Sequence, residues 1–491
     1  MISLKLSQIS QIVDGTLHGE DVQITGVSID SRTIDIGNLF VAIKGDLFDG
    51  HNFAQNAVQN GAKALLVEQS LKTNTPYIQV KNTIQALAKL ASWWRMQFDV
   101  LFFAITGSSG KTTTKTMLAS VLAEFYGKNQ VLATVGNLNN HLGVPLTLLN
   151  LNTQHKVAVI ELGANHAGEI KYLADIVRPT VGIITNVGSA HIGEFGSLEQ
   201  IVATKGELIE ALADNSYVVL DSTSNVFNIL HKKITKQRLI SFAANQGVNK
   251  DKNNQSNVIA TNVIADKNSI SFTAQINYPH QAEIPIKIPI KLNLIGNHNI
   301  TNALAVIASI QILDIPADVI AQGLANVEAQ NGRGKIIELG NLTLIDDSYN
   351  ANYEAVKSAI DGLSQFSTPK ILVLGELAEL GKFTQQYIIK IMQYALSKLD
   401  YIYLVGKQFI ELVINNPQFT SSLSNVSWCS DIEDAFNKIT KLKQATVLIK
   451  GSRSANLDQL VNKTVSFFNA NNQNKPNYQY LNQSLNNSEV I

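Results

Sequence analysis

The sequence predicts an α/β chain of three domains. A central, doubly wound parallel sheet carrying a phosphate-binding loop is flanked by a small α/β domain before it and a Rossmann-like domain after it. Three observations predict this. Short apolar runs alternate with helical stretches, as in Val157–Ile160, Val181–Val187 and Val218–Leu220, the rhythm of a parallel sheet with crossover helices. A small-residue turn, Thr106–Lys115, joins the apolar run Val100–Ile105 to a segment with helical spacing at Met117, Leu118, Val121 and Leu122. The strand–helix rhythm then restarts past Gly332.

Taken in order, residues 1–82 mix short alternating segments with turns such as Asp14-Gly15 and Asp49-Gly50. They end in a helix-then-strand signal from Ala54 to Val67, which reads as a small α/β module. Residues 83–329 form the expected central domain, entered through a helical pattern from Ile84 to Phe98. Within it, the polar stretch Asn245–Asn257 precedes alternating segments at Ile270 and Phe272 and at Ile284, Ile286, Ile288 and Ile290. Period-two alternation predicts antiparallel edge strands there, with a helix starting near His298. Residues 330–468 supply strands at Leu342–Ile345, Ile371–Leu374, Tyr401–Val405 and Val447–Ile449. From Asn469 to the end, Asn and Gln dominate and the periodicity is lost, so residues 469–491 read as a disordered tail.

The 491 residues can bury several cores, and the 39 basic side chains balance the 39 acidic ones. No global charge therefore draws the chain to nucleic acid or to an anionic membrane. One cysteine, Cys429, excludes an intrachain disulfide and fits a small core residue in a reducing compartment. Asp14, Glu20 and Asp21 interrupt the early apolar residues, so no signal peptide is expected. No run of about 18 apolar residues offers a membrane span. A cytoplasmic monomer is the expectation.

The chemistry concentrates at the carboxyl ends of the predicted strands, where open parallel sheets collect ligands. In Gly107-Ser108-Ser109-Gly110-Lys111-Thr112-Thr113, backbone N–H groups and a helix N-terminus would converge on phosphate oxygens. Lys111 would reach the outer phosphates and the Thr112 hydroxyl would sit on magnesium. ATP is the predicted nucleotide. Glu161 ends one strand, and Asn186 and His191 follow another. A carboxylate, a neutral imidazole and a hydroxyl beside phosphates suit magnesium. Lys205 sits in the apolar stripe Leu198, Ile201, Lys205, Leu208, Leu212, behind the capping pattern Ser197-Leu198-Glu199-Gln200. A lysine there either snorkels to water or, if buried, loses its proton readily. A neutral amine can take up carbon dioxide as a carbamate, an anion able to ligate a cation.

In this order, these segments resemble the Mur ligases of peptidoglycan synthesis. The resemblance covers residues 1 to about 468. It is carried by the phosphate loop, Glu161, Asn186–His191, Lys205-Gly206-Glu207 and Gly296–Asn302. Further on it is carried by Gly332-Arg333, Asp346–Asn352 and Lys450–Arg453, and in the first domain by Asp30-Ser31-Arg32 and Asp49-Gly50-His51. Gly136–Pro145, Glu161–Asn165 and Asp347–Asn352 are similar to the branch that adds D-alanyl-D-alanine to UDP-N-acetylmuramoyl-tripeptide. The Asp-Asn-Pro-Arg motif of the preceding ligase is absent.

The resemblance implies roles. Gly107, Ser108, Ser109, Gly110, Lys111, Thr112 and Thr113 would hold the ATP phosphates. Thr112 and Glu161 would hold one magnesium, and His191 with a carbamylated Lys205 a second. Asn299 and Asn302 would approach the base side, Arg333 the γ-phosphate and Asp347 the ribose. Ser31 and Arg32 would bind the uridine diphosphate end of the substrate, and Asn139 and Asn140 would line the muramoyl-peptide path. Closure of the third domain on a bound nucleotide is expected. Tyr353 stands where the family usually has proline, and Glu376-Leu377 replaces the commoner Asp-Met, which alters contact details and not the reaction. A phosphotransferase or plain ATPase would need neither amine nor uridine pocket. A non-catalytic relative would usually have lost Lys111 or Glu161. Folylpolyglutamate synthase, of related architecture, fits the Asn139-Asn140 and Asp347–Asn352 segments poorly.

Overall fold

The computed structural model describes residues 1–45, 48–244, 256–277, 284–410 and 424–472. The polar stretch as far as residue 255 and the tail from residue 473 lie outside these. The chain divides into two compact units. The larger comprises Met1–Ala329 with Asn352–Gln365 and Glu379–Ile391; the smaller comprises Gln330–Ala351, Phe366–Ala378 and Met392–Ile491.

A nine-stranded sheet dominates the larger unit. From one edge it runs Ile286–Leu292, Ile270–Ile276, Val258–Ala265, Arg238–Ala243, Tyr217–Asp221, Val181–Ile184, Leu101–Thr106, Val157–Glu161 and Val131–Ala133. The last seven are mutually parallel, while Ile270–Ile276 and Ile286–Leu292 add antiparallel edges. Phe102, Phe103, Ala104 and Ile105 have no exposed surface, so the strand before the phosphate loop is covered on both faces, as a central parallel strand must be. The edge strands keep the alternation read from the sequence at Ile270, Phe272, Ala274 and Ile276 and at Ile288, Ile290 and Leu292, all buried. Ile284 lies before the last of these strands and Ile286 opens it, and both are exposed.

Two helices pack on this sheet beside the loop. Lys111–Tyr126 buries Met117, Leu118, Val121 and Leu122. His298–Ser309 is apolar nearly all round and buries Ala303 through Ser309, as a helix enclosed by sheet and neighbours does. Both join one continuous core with Phe103, Ile105, Val159 and Ile183. Residues 1–82 contribute a five-stranded sheet ordered Thr16–His18, Tyr77–Gln79, Ala64–Val67, Leu39–Val41 and Val27–Ser28, antiparallel only at its first pair.

The smaller unit holds a six-stranded sheet in the order Lys335–Leu339, Leu342–Asp347, Ala445–Lys450, Lys370–Gly375, Tyr401–Val405 and Val426–Cys429. Only its first pair is antiparallel. Cys429 is enclosed in its apolar core.

Three expectations need correction. Within the apolar run Val181–Val187 the strand, expected as far as Thr185, ends at Ile184, and Thr185, Asn186 and Gly188 bond to the phosphate loop instead. Leu198 is 41 % exposed; at the first position of its helix it lies outside the stripe that continues through Ile201, Lys205 and Leu208. Loss of periodicity at Asn469 does not end the last helix, which runs Leu457–Asn472. No described helix is long and apolar enough to cross a membrane.

Candidate active site

The phosphate loop is built by glycine at two places. Gly107 has φ +151°, and a Cβ there would lie 2.0 Å from Thr185 Oγ1. Gly110 has φ +76°, and a Cβ would lie 2.5 Å from Asn302 Oδ1. Neither position accepts a side chain without strain or collision. The segment after the neighbouring strand then fastens the loop. Thr185 Oγ1 donates to Ser109 O at 2.6 Å, Asn186 Nδ2 donates to the same oxygen at 3.0 Å, and Ser109 N donates to Asn186 Oδ1 at 3.0 Å. Ser108 Oγ donates to Gly188 O at 3.1 Å and lies 2.9 Å from Gly188 N. Asn186 is thus a structural clamp on the loop.

Lys111 opens the helix, and its Nζ donates to Gly107 O at 2.8 Å, arching over the turn where phosphates would lie. Thr112 is buried on the first helical turn. Asn302 Oδ1 accepts from Thr114 Oγ1 at 3.3 Å, while its Nδ2 donates to Asn299 Oδ1 at 3.1 Å. Asn299 Nδ2 in turn donates to Ile295 O. Both asparagines are buried, so this pair ties the His298–Ser309 helix to the phosphate-loop helix.

Glu161 is 2 % exposed. Its backbone N–H donates to Thr134 Oγ1 at 3.0 Å, and its Oε1 accepts from Asn139 Nδ2 at 2.8 Å. Oε2 is buried without a partner. A buried carboxylate oxygen left unsatisfied is costly, and a cation is the partner such an oxygen suits.

Three further groups have displaced titrations. Burial, with the charges of Lys111 and Lys205 beside it, lowers the His191 imidazole to about 4, so it is neutral at pH 7. Its Nδ1 lies 3.1 Å from Glu379 Oε2 in the same unit, and burial raises the Glu379 carboxyl. Lys205 is 2 % exposed: the stripe holds it inward. Burial first, and Lys111 second, bring its ammonium down to about 7. The Phe195 ring lies 5.7 Å from Nζ. Among the described residues no three His, Cys, Asp or Glu side chains converge as a metal cluster; of the four proposed ligands only Glu161 and His191 belong to that class.

The remaining predicted residues are placed as follows. Ser31 is buried and its carbonyl accepts from Asn60 Nδ2 at 2.7 Å. Arg32 forks onto Asp30, Nε to Oδ1 and Nη2 to Oδ2, both at 2.9 Å, and that guanidinium holds the Asp30 carboxyl below its usual range. Asn140 Oδ1 accepts from Leu142 N and Gly143 N, at the start of the helix Gly143–Leu148. In the smaller unit the Arg333 guanidinium lies 4.1 Å from the Tyr349 ring centroid. Asp347 Oδ2 accepts from the buried Lys450 at 2.6 Å. Glu376 Oε1 accepts from Gln408 N at 3.0 Å.

Three family models match the chain: the Mur ligase middle domain over residues 105–310, the Mur ligase glutamate ligase domain over 332–453, and the Mur ligase family catalytic domain over 23–95. The chain belongs to the Mur ligase family. A UDP-N-acetylmuramoyl-tripeptide--D-alanyl-D-alanine ligase of Escherichia coli is 36 % identical over 471 residues, covering 94 % of this chain and 98 % of the relative. The namesake from Haemophilus influenzae is 35 % identical, with 94 % and 98 % covered. Among solved structures, MurF from Acinetobacter baumannii superposes with TM-score 0.85 at 30 % identity, covering 95 % of this chain and 99 % of that one. MurF from Thermotoga maritima in complex with ADP gives TM-score 0.76 at 26 % identity, covering 91 % and 98 %.

Within this Mur ligase, several groups that shape the site had been given no role from the sequence, Glu207 having been noted only as part of the Lys205-Gly206-Glu207 segment. Glu354 accepts from Ser189 N at 3.0 Å and from Ser189 Oγ at 2.8 Å, inside the larger unit. Glu207 accepts from Gly168 N at 2.7 Å and Lys171 N at 3.1 Å, capping the helix Glu169–Val177. Lys115 is buried, and its Nζ donates to Thr134 O at 2.8 Å. Lys115 alone had a usable signal: it occupies an apolar-stripe position one turn after Lys111, as Lys205 does in its own helix.

Proposed function

We propose that this chain is an ATP-dependent ligase that joins D-alanyl-D-alanine to UDP-N-acetylmuramoyl-tripeptide, giving the UDP-muramoyl-pentapeptide. The observation that carries this reading is the likeness, over nearly the whole chain, to relatives named for that reaction. An intact phosphate loop supports it.

In water an amide does not form from a carboxylate unless the carboxylate is first activated. In the proposed course, the terminal carboxylate of the tripeptide attacks the γ-phosphorus. A new O–P bond forms, the bond from the γ-phosphorus to the β,γ-bridging oxygen breaks with its electrons going to ADP, and the products of this step are an acyl phosphate and ADP. The amine of D-alanyl-D-alanine then attacks the acyl carbon and gives up a proton to water or a neighbouring side chain, and phosphate leaves with the C–O bond electrons. The first step brings two anions together, so the main task of the protein is electrostatic. Lys111 and the N–H groups of residues 107–113 would take the phosphate charge, and Arg333 would add to it at the γ-phosphate. Asp347 would hold the ribose. Ser31 and Arg32 would hold the uridine diphosphate end; Arg32 is already pre-oriented by Asp30, which leaves its remaining N–H donors to an anion.

Thr112 and Glu161 would hold one magnesium ion, and His191 with carbamylated Lys205 a second. The free Glu161 Oε2 and the neutral His191 fit that role. When bound, magnesium would supply Lewis-acid neutralisation of phosphate charge. Lys205, inward-facing and with its proton loosely held, is the residue whose amine could take up carbon dioxide.

The test is mass spectrometry of the product formed from UDP-muramoyl-tripeptide, D-alanyl-D-alanine, ATP and magnesium. A pentapeptide product is expected; ATP consumption without it would reject the assignment.

A further inference from the structure

Glu161 is held from two sides by one loop. Thr134 follows the strand Val131–Ala133, and its hydroxyl receives the Glu161 N–H at 3.0 Å. Asn139, five residues on, donates from Nδ2 to Glu161 Oε1 at 2.8 Å. Its backbone is fixed as well: Asn139 N donates to Asn137 O at 2.7 Å, and Asn139 O accepts from Gly163 N at 2.8 Å. The near end of the loop is tied to the phosphate-loop helix, where the buried Lys115 donates to Thr134 O at 2.8 Å. An ammonium in so enclosed a place is expensive to bury and restricts the geometry of whatever it bonds.

We infer that Asn139 is a positioning residue for Glu161, and that Lys115 anchors the loop that carries it, so that one carboxylate oxygen is occupied and the other is left for a cation. This rests on the proposed reading of Glu161 as a magnesium ligand, and it departs from the sequence expectation that Asn139 lines the substrate path. The packing favours the positioning role. The Asn139 amide lies against Gly163, where a Cβ would come within 2.7 Å of Oδ1 and 2.9 Å of Cγ. Gly163 therefore makes room for the amide that orients Glu161. Partners of this kind, one step behind a metal ligand, fix its rotamer and set metal affinity.

Gly163 also provides the discriminating test. It has no positive φ, so alanine suits its backbone, and the added methyl would displace the Asn139 side chain without removing any group a substrate could touch. ADP binding to the full-length chain is measured by calorimetry across a magnesium series for wild type, Asn139→Ala and Gly163→Ala. The KM for UDP-muramoyl-tripeptide is measured at saturating magnesium. The expected result is that both variants need about tenfold more magnesium for half-maximal nucleotide binding, with KM near the wild-type value. Lys115→Met, which keeps the stem and removes the donor, should shift the magnesium requirement in the same direction. If Asn139→Ala fails to fold, Gly163→Ala carries the test alone. A raised KM with unchanged magnesium dependence overturns the inference and returns Asn139 to the substrate path. If wild-type nucleotide binding shows no magnesium dependence, the reading of Glu161 itself fails.

Discussion

Lys205 shows how one buried side chain ties stability, pH and chemistry together. Burial and the neighbouring Lys111 lower its ammonium from the ordinary 10.5 to about 7. Between those values the unfolded chain holds a proton that the folded chain has released. Stability contributed by this group therefore rises with pH across that window and is lowest below its bottom edge. The same shift leaves roughly half of the amine neutral near pH 7, and only the neutral amine adds carbon dioxide. The rate at limiting bicarbonate should accordingly climb from about pH 6 to about pH 8. Carbon-13 bicarbonate should give a carbamate signal by NMR in wild type and none in Lys205→Ala. That variant should lose at least about 100-fold in turnover, and a short carboxylic acid should restore part of it. Wild-type turnover in Lys205→Ala would remove the carbamate from the mechanism. His191 does not compete in this range, since it protonates only near 4. Lys205 was legible because a lysine in an apolar stripe is a local anomaly. Glu354 was not, since its partner Ser189 is 165 residues away and nothing local marks the pairing.

At the scale of elements, the phosphate loop was the most legible part of the chain. A strand, a small-residue turn and a helix start are all encoded within about twenty residues of one another, and each constrains the next. The clamp on that loop was only half legible. Asn186 was noticed for its place at a strand end, yet its role is to hold Ser109 through three hydrogen bonds. The strands Val131–Ala133 and Arg238–Ala243 were missed, the first because three residues carry too little period to register, the second because it opens on Arg238. The loop geometry gives a sharp expectation. Gly107→Ala would force a side chain into a φ of +151° and onto Thr185 Oγ1. It should destabilise the protein by about 1–3 kcal/mol in denaturant unfolding and weaken nucleotide binding by at least about tenfold as the N–H groups swing off their aim. Binding at wild-type affinity would mean that the turn does not grip phosphate. Lys111→Ala should leave the turn folded and abolish turnover, because it removes charge and not shape.

For the whole molecule, the distribution of predicted functions over the two units decides what an assay must show. The phosphate loop, Glu161, His191, Lys205, Ser31 and Arg32 lie in the larger unit, and Arg333 and Asp347 in the smaller. A plain ATPase would need only the phosphate-holding groups, and a phosphotransferase would need those and a hydroxyl. A ligase needs an acid and an amine in sequence, and the acid must come first, because no acyl phosphate exists for the amine to attack without it. Phosphate release measured with each substrate omitted therefore separates the three. With both present, release should match pentapeptide formed, one for one. Without the muramoyl-tripeptide, release should fall to background whatever the amine concentration. Without D-alanyl-D-alanine, at most a single turnover should occur, since the acyl phosphate has no acceptor once water is kept out. Sustained release with the tripeptide omitted would mean that the charges gathered around Lys111 activate water, and the chain would then be an ATPase on a Mur ligase frame.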